Sequence, residues 1–286
     1  MGVLIDVDEL ARLLTGDRPP VVSDVRWSLG GPSRLPDFLN GHIPGAHWVD
    51  LETELSDHER PGGRHPLPGR ATFEAAMRRA GVSNDSTVVI YDSDNALAAS
   101  RLWWMLRDAG LTDVRVLDGG YAAWLDARQA TENGPGHQAS PGDFKAGEGV
   151  LPKIDGPTLA TKITNGEAPV IIDVRGPERY AGESEPIDPI AGHIPGAINV
   201  PSMINIGPNG RFLEPSAIAA NFSSGNAPAD TAPADAPVVY CGSGITAAHT
   251  ALARTVAGLS MPTVYPGSWS DWISDPDRPV ATGQQP

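Results

Sequence analysis

Four blocks of this sequence occur twice, in the same order and at nearly the same separation. "VVSDVR" (21–26) returns as "VIIDVR" (170–175), and "GHIPGA" (41–46) is repeated letter for letter at 192–197. "VVIYD" (88–92) is answered by "PVVYC" (237–241), and "GGYAAW" (119–124) by "GSWSDW" (267–272). The offsets are 149, 151, 149 and 148 residues. One such match is within reach of chance, whereas four in register indicate a duplicated domain. A chain of 286 residues has room for two domains of ordinary size.

Within the first copy, β-branched runs at Val21–Val25, Val88–Tyr91 and Val114–Leu117 alternate with helix-length segments at Asp8–Leu14, Thr72–Ala80 and Ala98–Ala109. Apolar strands alternating with helices predict an α/β fold, each copy a parallel sheet with helices on both faces. The Gly- and Pro-rich stretch "QATENGPGHQASPGDFKAGEG" (129–149) reads as a linker. The expected division is therefore an N-terminal domain at 1–130, a linker at 131–153 and a C-terminal domain at 154–286. "SSGNAPADTAPADAP" (223–237) reads as a surface loop.

The formal net charge of −14 argues against nucleic acid or an anionic membrane surface as a partner. The opening "MGVLIDVDELARLL" carries acids where a secretory signal needs cations, and no run approaches the roughly 20 apolar residues of a membrane span. One cysteine excludes an internal disulfide and suits a reducing cytoplasm.

That cysteine, Cys241, closes an apolar run and opens a Gly-Ser-Gly loop before a helix, "TAAHTALARTVAG" (246–258). A free cysteine is commonly a small buried hydrophobe. At a helix N-terminus, with the N–H groups of Gly242 to Thr246 able to turn inward, a thiolate is favoured instead. In a parallel sheet this position, beyond a strand's carboxyl end, is where ligands bind. A cysteine phosphatase needs an arginine six residues on, and here that position is Ala247. A cysteine protease needs a partner histidine, and no signature selects one of the seven. Sulfur transfer through a persulfide remains, since a persulfide asks only for a ring of N–H donors. The histidines lack metal-ligand spacing, so neither metal nor cofactor is expected. His42 and His193 of "GHIPGA" read as loop-fixing residues. Trp103, Trp104, Trp124, Trp269 and Trp272 read as core or pocket wall, Trp269 nearest the site.

The chain resembles the tandem-domain rhodanese family of thiosulfate and 3-mercaptopyruvate sulfurtransferases. The resemblance rests on "DVRW", "GHIPGAHWVDLE", "GRHPLPG", "RLWWML" and "LDGGYAAW" in the first half. In the second it rests on "IIDVRGPERY", "GHIPGAINVP", "VVYCGSGITAA" and "YPGSWSDW". It implies two tandem rhodanese-like domains, with Cys241 as persulfide carrier and an inactive first copy in which Asp92 stands in its place. It implies a loop, Cys241-Gly242-Ser243-Gly244-Ile245-Thr246, that cradles the substrate, in the neutral form typical of mercaptopyruvate enzymes. A serine–histidine–acid relay falls on Ser243, His65 and Glu52, with Asp50 as the fallback acid. Arg179 of "GPERY" falls on the arginine that binds the donor's anionic end. A second such arginine precedes "GHIPG" in mercaptopyruvate enzymes; here the nearest match is Ile187, which leaves thiosulfate open as the alternative donor. The implied partners are a small sulfur donor and a thiol or cyanide acceptor, thioredoxin among the candidates. The rival class is a rhodanese-fold binding or regulatory module without catalysis.

Overall fold

The computed structural model describes residues 2–136, 140–223 and 236–286. These form two compact units. The first comprises residues up to Asp57, Pro68–Val150 and Ile206–Phe212; the second comprises His58–Leu67, Leu151–Asn205 and Leu213–Pro286.

In chain order the first unit has β1 (Leu4–Ile5), α1 (Val7–Leu14), β2 (Val21–Asp24), α2 (Leu35–Asn40), β3 (His47–Trp48), α3 (Leu51–Glu54), α4 (Arg70–Arg79), β4 (Val88–Tyr91), α5 (Leu97–Asp108), β5 (Val114–Leu117) and α6 (Gly120–Asp126). The second has α7 (Gly156–Thr164), β6 (Ile171–Asp173), α8 (Pro177–Ala181), β7 (Ala197–Asn199), a 3₁₀ turn (Ser202–Asn205), α9 (Pro215–Ser223), β8 (Val238–Tyr240), α10 (Ile245–Val256), β9 (Thr263–Val264) and α11 (Ser268–Trp272). The strands and helices expected from the first copy lie within one or two residues of those observed. Of the stretch read as a loop at 223–237, residues 224–235 lie outside the described residues.

Both sheets are parallel, in the orders β1-β5-β4-β2-β3 and β7-β6-β8-β9. Read from β3 or from β7, the first four strands run in the same order, as a duplication requires. The central strands β4 (VVIY) and β8 (VVY) are apolar along their whole length, as strands covered by helices on both faces are. Val22, Val89, Tyr91 and Leu117 bury into one core, and Ile171, Val238, Tyr240 and Trp269 into the other.

The repeated motifs turn out to be structural devices. Asp6 and Asp155 cap α1 and α7, accepting from the N–H of Glu9 at 2.7 Å and of Thr158 at 2.8 Å. In "DVR", Arg26 and Arg175 pair with Asp24 and Asp173, and each reaches on to the glycine carbonyl of "GHIPGA", at 2.8 Å and 2.6 Å. His42 and His193, both buried, donate from Nδ1 to the carbonyls of Phe38 and Tyr180 at 2.8 Å. Their rings stack on those same side chains at 4.0 and 3.9 Å. Their backbones bridge to Glu132 and Ala281. They fix loops, as expected. The Gly- and Pro-rich stretch is fastened to the first unit where it is described. Gly142 and Gly147 donate to the carbonyls of Arg78 and Ala109, and buried Phe144 packs edge-on against Phe73. Among the described residues no helix is long and apolar enough to cross a membrane.

Candidate active site

Cys241 follows β8 directly, so its Sγ stands at the carboxyl end of a central strand, at the N-terminus of α10. Gly244 caps that helix in the left-handed region (φ 84°) and its N–H donates to Sγ at 3.1 Å. A side chain at 244 would be strained in this conformation, so the glycine is what lets an N–H point back at the sulfur. Cys241 is 2% exposed. A buried thiolate without donors would be costly, and the helix N-terminus supplies them.

The opposite side of the cysteine is held by Ser268. Its Oγ accepts from the Cys241 N–H at 3.1 Å, donates to the Tyr265 carbonyl at 2.9 Å and lies 3.9 Å from Sγ. Ser268 has φ 56°, which is unfavourable for a residue with a side chain. Its counterpart in the first copy is Gly120, at φ 57°. The second copy thus holds a serine in a backbone conformation that the first fills with glycine, and its hydroxyl lies against the cysteine. Reading the sequence missed Ser268, although the pairing of "GGYAAW" with "GSWSDW" sets a serine against a glycine and carried the signal. Trp269, expected to border the site, does so through its backbone: its N–H donates to the Cys241 carbonyl at 3.0 Å, while its ring is buried in the core.

His65 belongs, with the rest of His58–Leu67, to the second unit. Its Nδ1 lies 2.7 Å from Ser243 Oγ, and both side chains are buried, at 3% and 5% exposure. The segment is held in place by its own backbone. Arg64 N–H donates to Ser270 Oγ at 3.0 Å, and a Cβ at Gly63 would stand 2.6 Å from the Gly267 carbonyl. Arg64, also missed from the sequence, ion-pairs with Asp188. Arg179 donates from Nε and Nη2 to Glu185 and from Nη2 to Asp188 at 3.0 Å. Burial alone would raise the Glu185 carboxyl, but the Arg179 guanidinium and the Asp188 N–H outweigh it and hold it below the usual range. Both guanidiniums lie over Gly242.

Of the remaining expected residues, Gly242, Ile245 and Thr246 lie on the same loop and first helical turn. Glu52 sits on α3 of the first unit, where its Oε1 accepts from Trp27 Nε1 at 2.6 Å. Asp50 caps α3, accepting from Glu52 and Thr53 N–H.

The first unit shows what becomes of the loop without sulfur. Asp92 occupies the place of Cys241, and its carboxylate accepts from the N–H groups of Ala96, Ala98 and Ala99 at 3.0, 2.9 and 3.1 Å. The helix begins one residue later than in the second unit, at Leu97 rather than Ile245 counted from Asp92 and Cys241. The side chain thus fills its own anion nest. Burial pushes this carboxyl up to about 6 against the pull of the three N–H donors.

A buried cysteine in a Gly-rich turn, at the carboxyl end of a parallel strand and repeated as an acid-filled copy, defines a duplicated α/β domain with one thiol site. The rhodanese-like domain model matches residues 6–127 and 157–275. The chain belongs to the rhodanese family of sulfurtransferases and carries two copies of its domain. It is 43% identical over 286 residues to the "Probable 3-mercaptopyruvate sulfurtransferase" of Pseudomonas aeruginosa, covering 98% of either chain. It is 42% identical over 291 residues to a Mycobacterium tuberculosis protein provisionally named thiosulfate sulfurtransferase SseB, covering 98% of this chain and 97% of that one. Among solved structures it is similar to SseA from Escherichia coli, described as showing the rhodanese fold and catalytic mechanism of 3-mercaptopyruvate sulfotransferases. The TM-score is 0.80 at 31% identity, covering 94% of this chain and all of that one.

Proposed function

We propose that this sulfurtransferase takes its sulfur from 3-mercaptopyruvate, with thiosulfate as a second donor, and hands it to a thiol or cyanide. The observation that carries the donor assignment is the buried Ser243 Oγ–His65 Nδ1 contact of 2.7 Å, two residues from Cys241. The Cys241 thiolate attacks the donor's sulfur; an S–S bond forms and the C–S bond breaks. The electron pair left on carbon gives the enolate of pyruvate, which needs a proton. With Nδ1 protonated, His65 donates to Ser243 Oγ and leaves the hydroxyl hydrogen free to meet that carbon. Ser243 gives that hydrogen to carbon and takes one back from His65 Nδ1, which recovers the proton released when the Cys241 thiol ionised, so that overall the thiol proton of Cys241 ends on carbon and Cys241 ends as a persulfide. From thiosulfate the same attack breaks an S–S bond and releases sulfite, which needs no proton.

Gly244 N–H, with those of Gly242, Ile245 and Thr246, stabilises the charge on the sulfur pair. Arg179 holds the donor's carboxylate or sulfonate. With Asp50 capping α3, Glu52 is the acid that the family resemblance assigns to the relay. A thiol, that of thioredoxin included, or cyanide then attacks the outer sulfur and restores the thiolate. The first domain, with Asp92 where the sulfur would be, serves as scaffold. Along the chain the reading keeps the order of two domains, at 1–130 and 154–286 with 131–153 between them, while residues 58–67 pack with the second unit and 131–150 with the first; a cytoplasmic setting completes it, supported by a single thiol with no disulfide partner.

Incubation with mercaptopyruvate and no acceptor should add one sulfur to Cys241, seen by intact mass and removed by cyanide. Cys241→Ser should lose adduct and turnover together, because the chain has no other thiol. Turnover persisting in that variant would refute the persulfide route.

A further inference from the structure

The first unit carries a groove that sulfur transfer does not use. It measures 380 Å³, the size of a small-molecule site, and opens beside Arg26, walled by Arg34, Asn40, Ser93, Tyr121 and Leu125. Arg26 is 6% exposed, and its guanidinium stacks on the Tyr121 ring at 4.5 Å. Its Nε donates to Asp24 at 2.9 Å and its Nη2 to the Gly41 carbonyl at 2.8 Å. Nη1 has no protein partner among the described residues, yet it is not sealed in, so it opens onto the groove. A buried guanidinium that turns an unused pair of N–H donors to a groove is half of an oxyanion site.

The duplication shows what the other half is. In the second unit Arg175 stands in place of Arg26 and Trp269 in place of Tyr121, again stacked, at 4.7 Å. There Nη1 donates to Glu185 Oε2 at 3.3 Å, and Trp269 Nε1 donates to the Ile190 carbonyl at 2.9 Å. The second unit thus fills the place with a carboxylate of its own. The difference lies in the segment between "DVR" and "GHIPGA". In the second unit α8 follows Arg175 almost directly, and the chain beyond it brings Glu185 and Ile190 back onto the arginine and the ring. In the first unit the helix of that segment, α2, lies at its far end, against "GHIPGA", and Arg34 stands at its N-terminus. Asp37 pairs with Arg34 Nε at 2.6 Å, which leaves both Nη groups of Arg34 without a protein partner among the described residues.

We propose that this groove binds a small organic carboxylate, seated between Arg26 Nη1 and Arg34 where the second unit places Glu185. The site is separate from the cysteine chemistry and does not depend on it. Asp24 and Asp37 already balance the two arginines, so recognition rests on the planar fork of donors more than on net charge. Leu125 and the Tyr121 ring suit a short apolar body behind the carboxylate, and Ser93 and Asn40 offer hydrogen bonds at its edge.

The probe is para-fluorobenzoate, titrated by fluorine NMR, with para-fluorobenzamide as its neutral isostere. Wild type should bind the acid about tenfold more tightly than the amide, the low end for one charge-assisted hydrogen bond. Arg26→Lys keeps a charge beside Asp24 but loses the fork, and should weaken the acid about tenfold while leaving the amide unchanged. Arg34→Glu reverses a charge on a half-exposed side chain, leaves the buried Asp24–Arg26 pair intact, and should have an effect of the same size. Arg179→Ala should bind the acid as wild type does. Equal affinity for acid and amide in wild type would overturn the site. So would a loss confined to Arg179→Ala, which would put the acid at the Cys241 loop. Should Arg26→Lys fail to fold, Arg34→Glu decides: unchanged affinity in that folded variant refutes the groove.

Discussion

Ser243→Ala separates the two donors, and its size follows from the geometry around one hydroxyl. The change removes the only polar atom of a side chain that is 5% exposed and 2.7 Å from His65 Nδ1. Losing one neutral hydrogen bond costs about 1 kcal/mol of stability, rising to about 3 kcal/mol if buried Nδ1 is left without a partner. The kinetic effect is larger because the hydroxyl is asked to protonate carbon as the C–S bond breaks. Positioned acids contribute about 10²- to 10⁴-fold. Since His65 stays in place and a water can occupy the vacated space, the loss of kcat/KM with mercaptopyruvate should lie near the lower end, about 100-fold. Thiosulfate expels sulfite with its electron pair and needs no acid. Its kcat/KM should change by no more than about threefold, under 1 kcal/mol. Initial rates with each donor, cyanide as common acceptor, on one preparation checked by thermal melting, give the comparison directly. Equal losses with both donors would mean that Ser243 shapes the loop and moves no proton; no loss with mercaptopyruvate would remove the basis for preferring that donor.

Arg179→Ala should lower kcat/KM for both anionic donors by about 10- to 150-fold, the range of one charge-assisted hydrogen bond of about 1.5–3 kcal/mol; a loss confined to one donor would contradict a shared anion site. Asp92 makes stability pH-dependent. Its carboxyl titrates at about 6 when folded, above its ordinary range, because burial penalises the charged form, with Asp94 adding to the effect. The stabilisation is complete below about pH 4, is lost as pH rises through 6, and amounts to about 3 kcal/mol. Asp92→Asn should flatten that part of the pH–stability curve, measured by denaturant unfolding between pH 4 and 7. It should also leave sulfur transfer nearly intact. A curve as steep as wild type's would place the titrating group elsewhere.

The duplication, the strands and the helices were legible because they are local: β-branched runs and Gly turns act over a few residues, and each appeared twice. Cys241 was legible for the same reason, since strand, Gly-rich turn and helix are contiguous in the chain. His65 and Arg179 came from resemblance, and nothing in their immediate neighbours gives them a role. Arg64 and Ser268 were not found at all. Arg64 reads in sequence as one more polar loop residue, and Ser268 as a helix-start serine. Their meaning lies in contacts with partners far along the chain: Arg64 with Asp188, Ser268 with Cys241, His65 with Ser243 across 178 positions. Hydrophobic patterning decides which face of an element is buried, but it carries no information on which two loops meet. That is decided by the parallel strand order, which gathers the carboxyl ends of β6 and β8 on one side of their sheet, and by the packing of segment 58–67 against the turn before α11. The sequence by itself therefore determined two α/β units and a lone cysteine at the end of a strand, whereas the tertiary structure decided which charged and hydroxyl side chains stand near it, because hydrogen bonds and ion pairs act over a few ångströms of space and not along the chain.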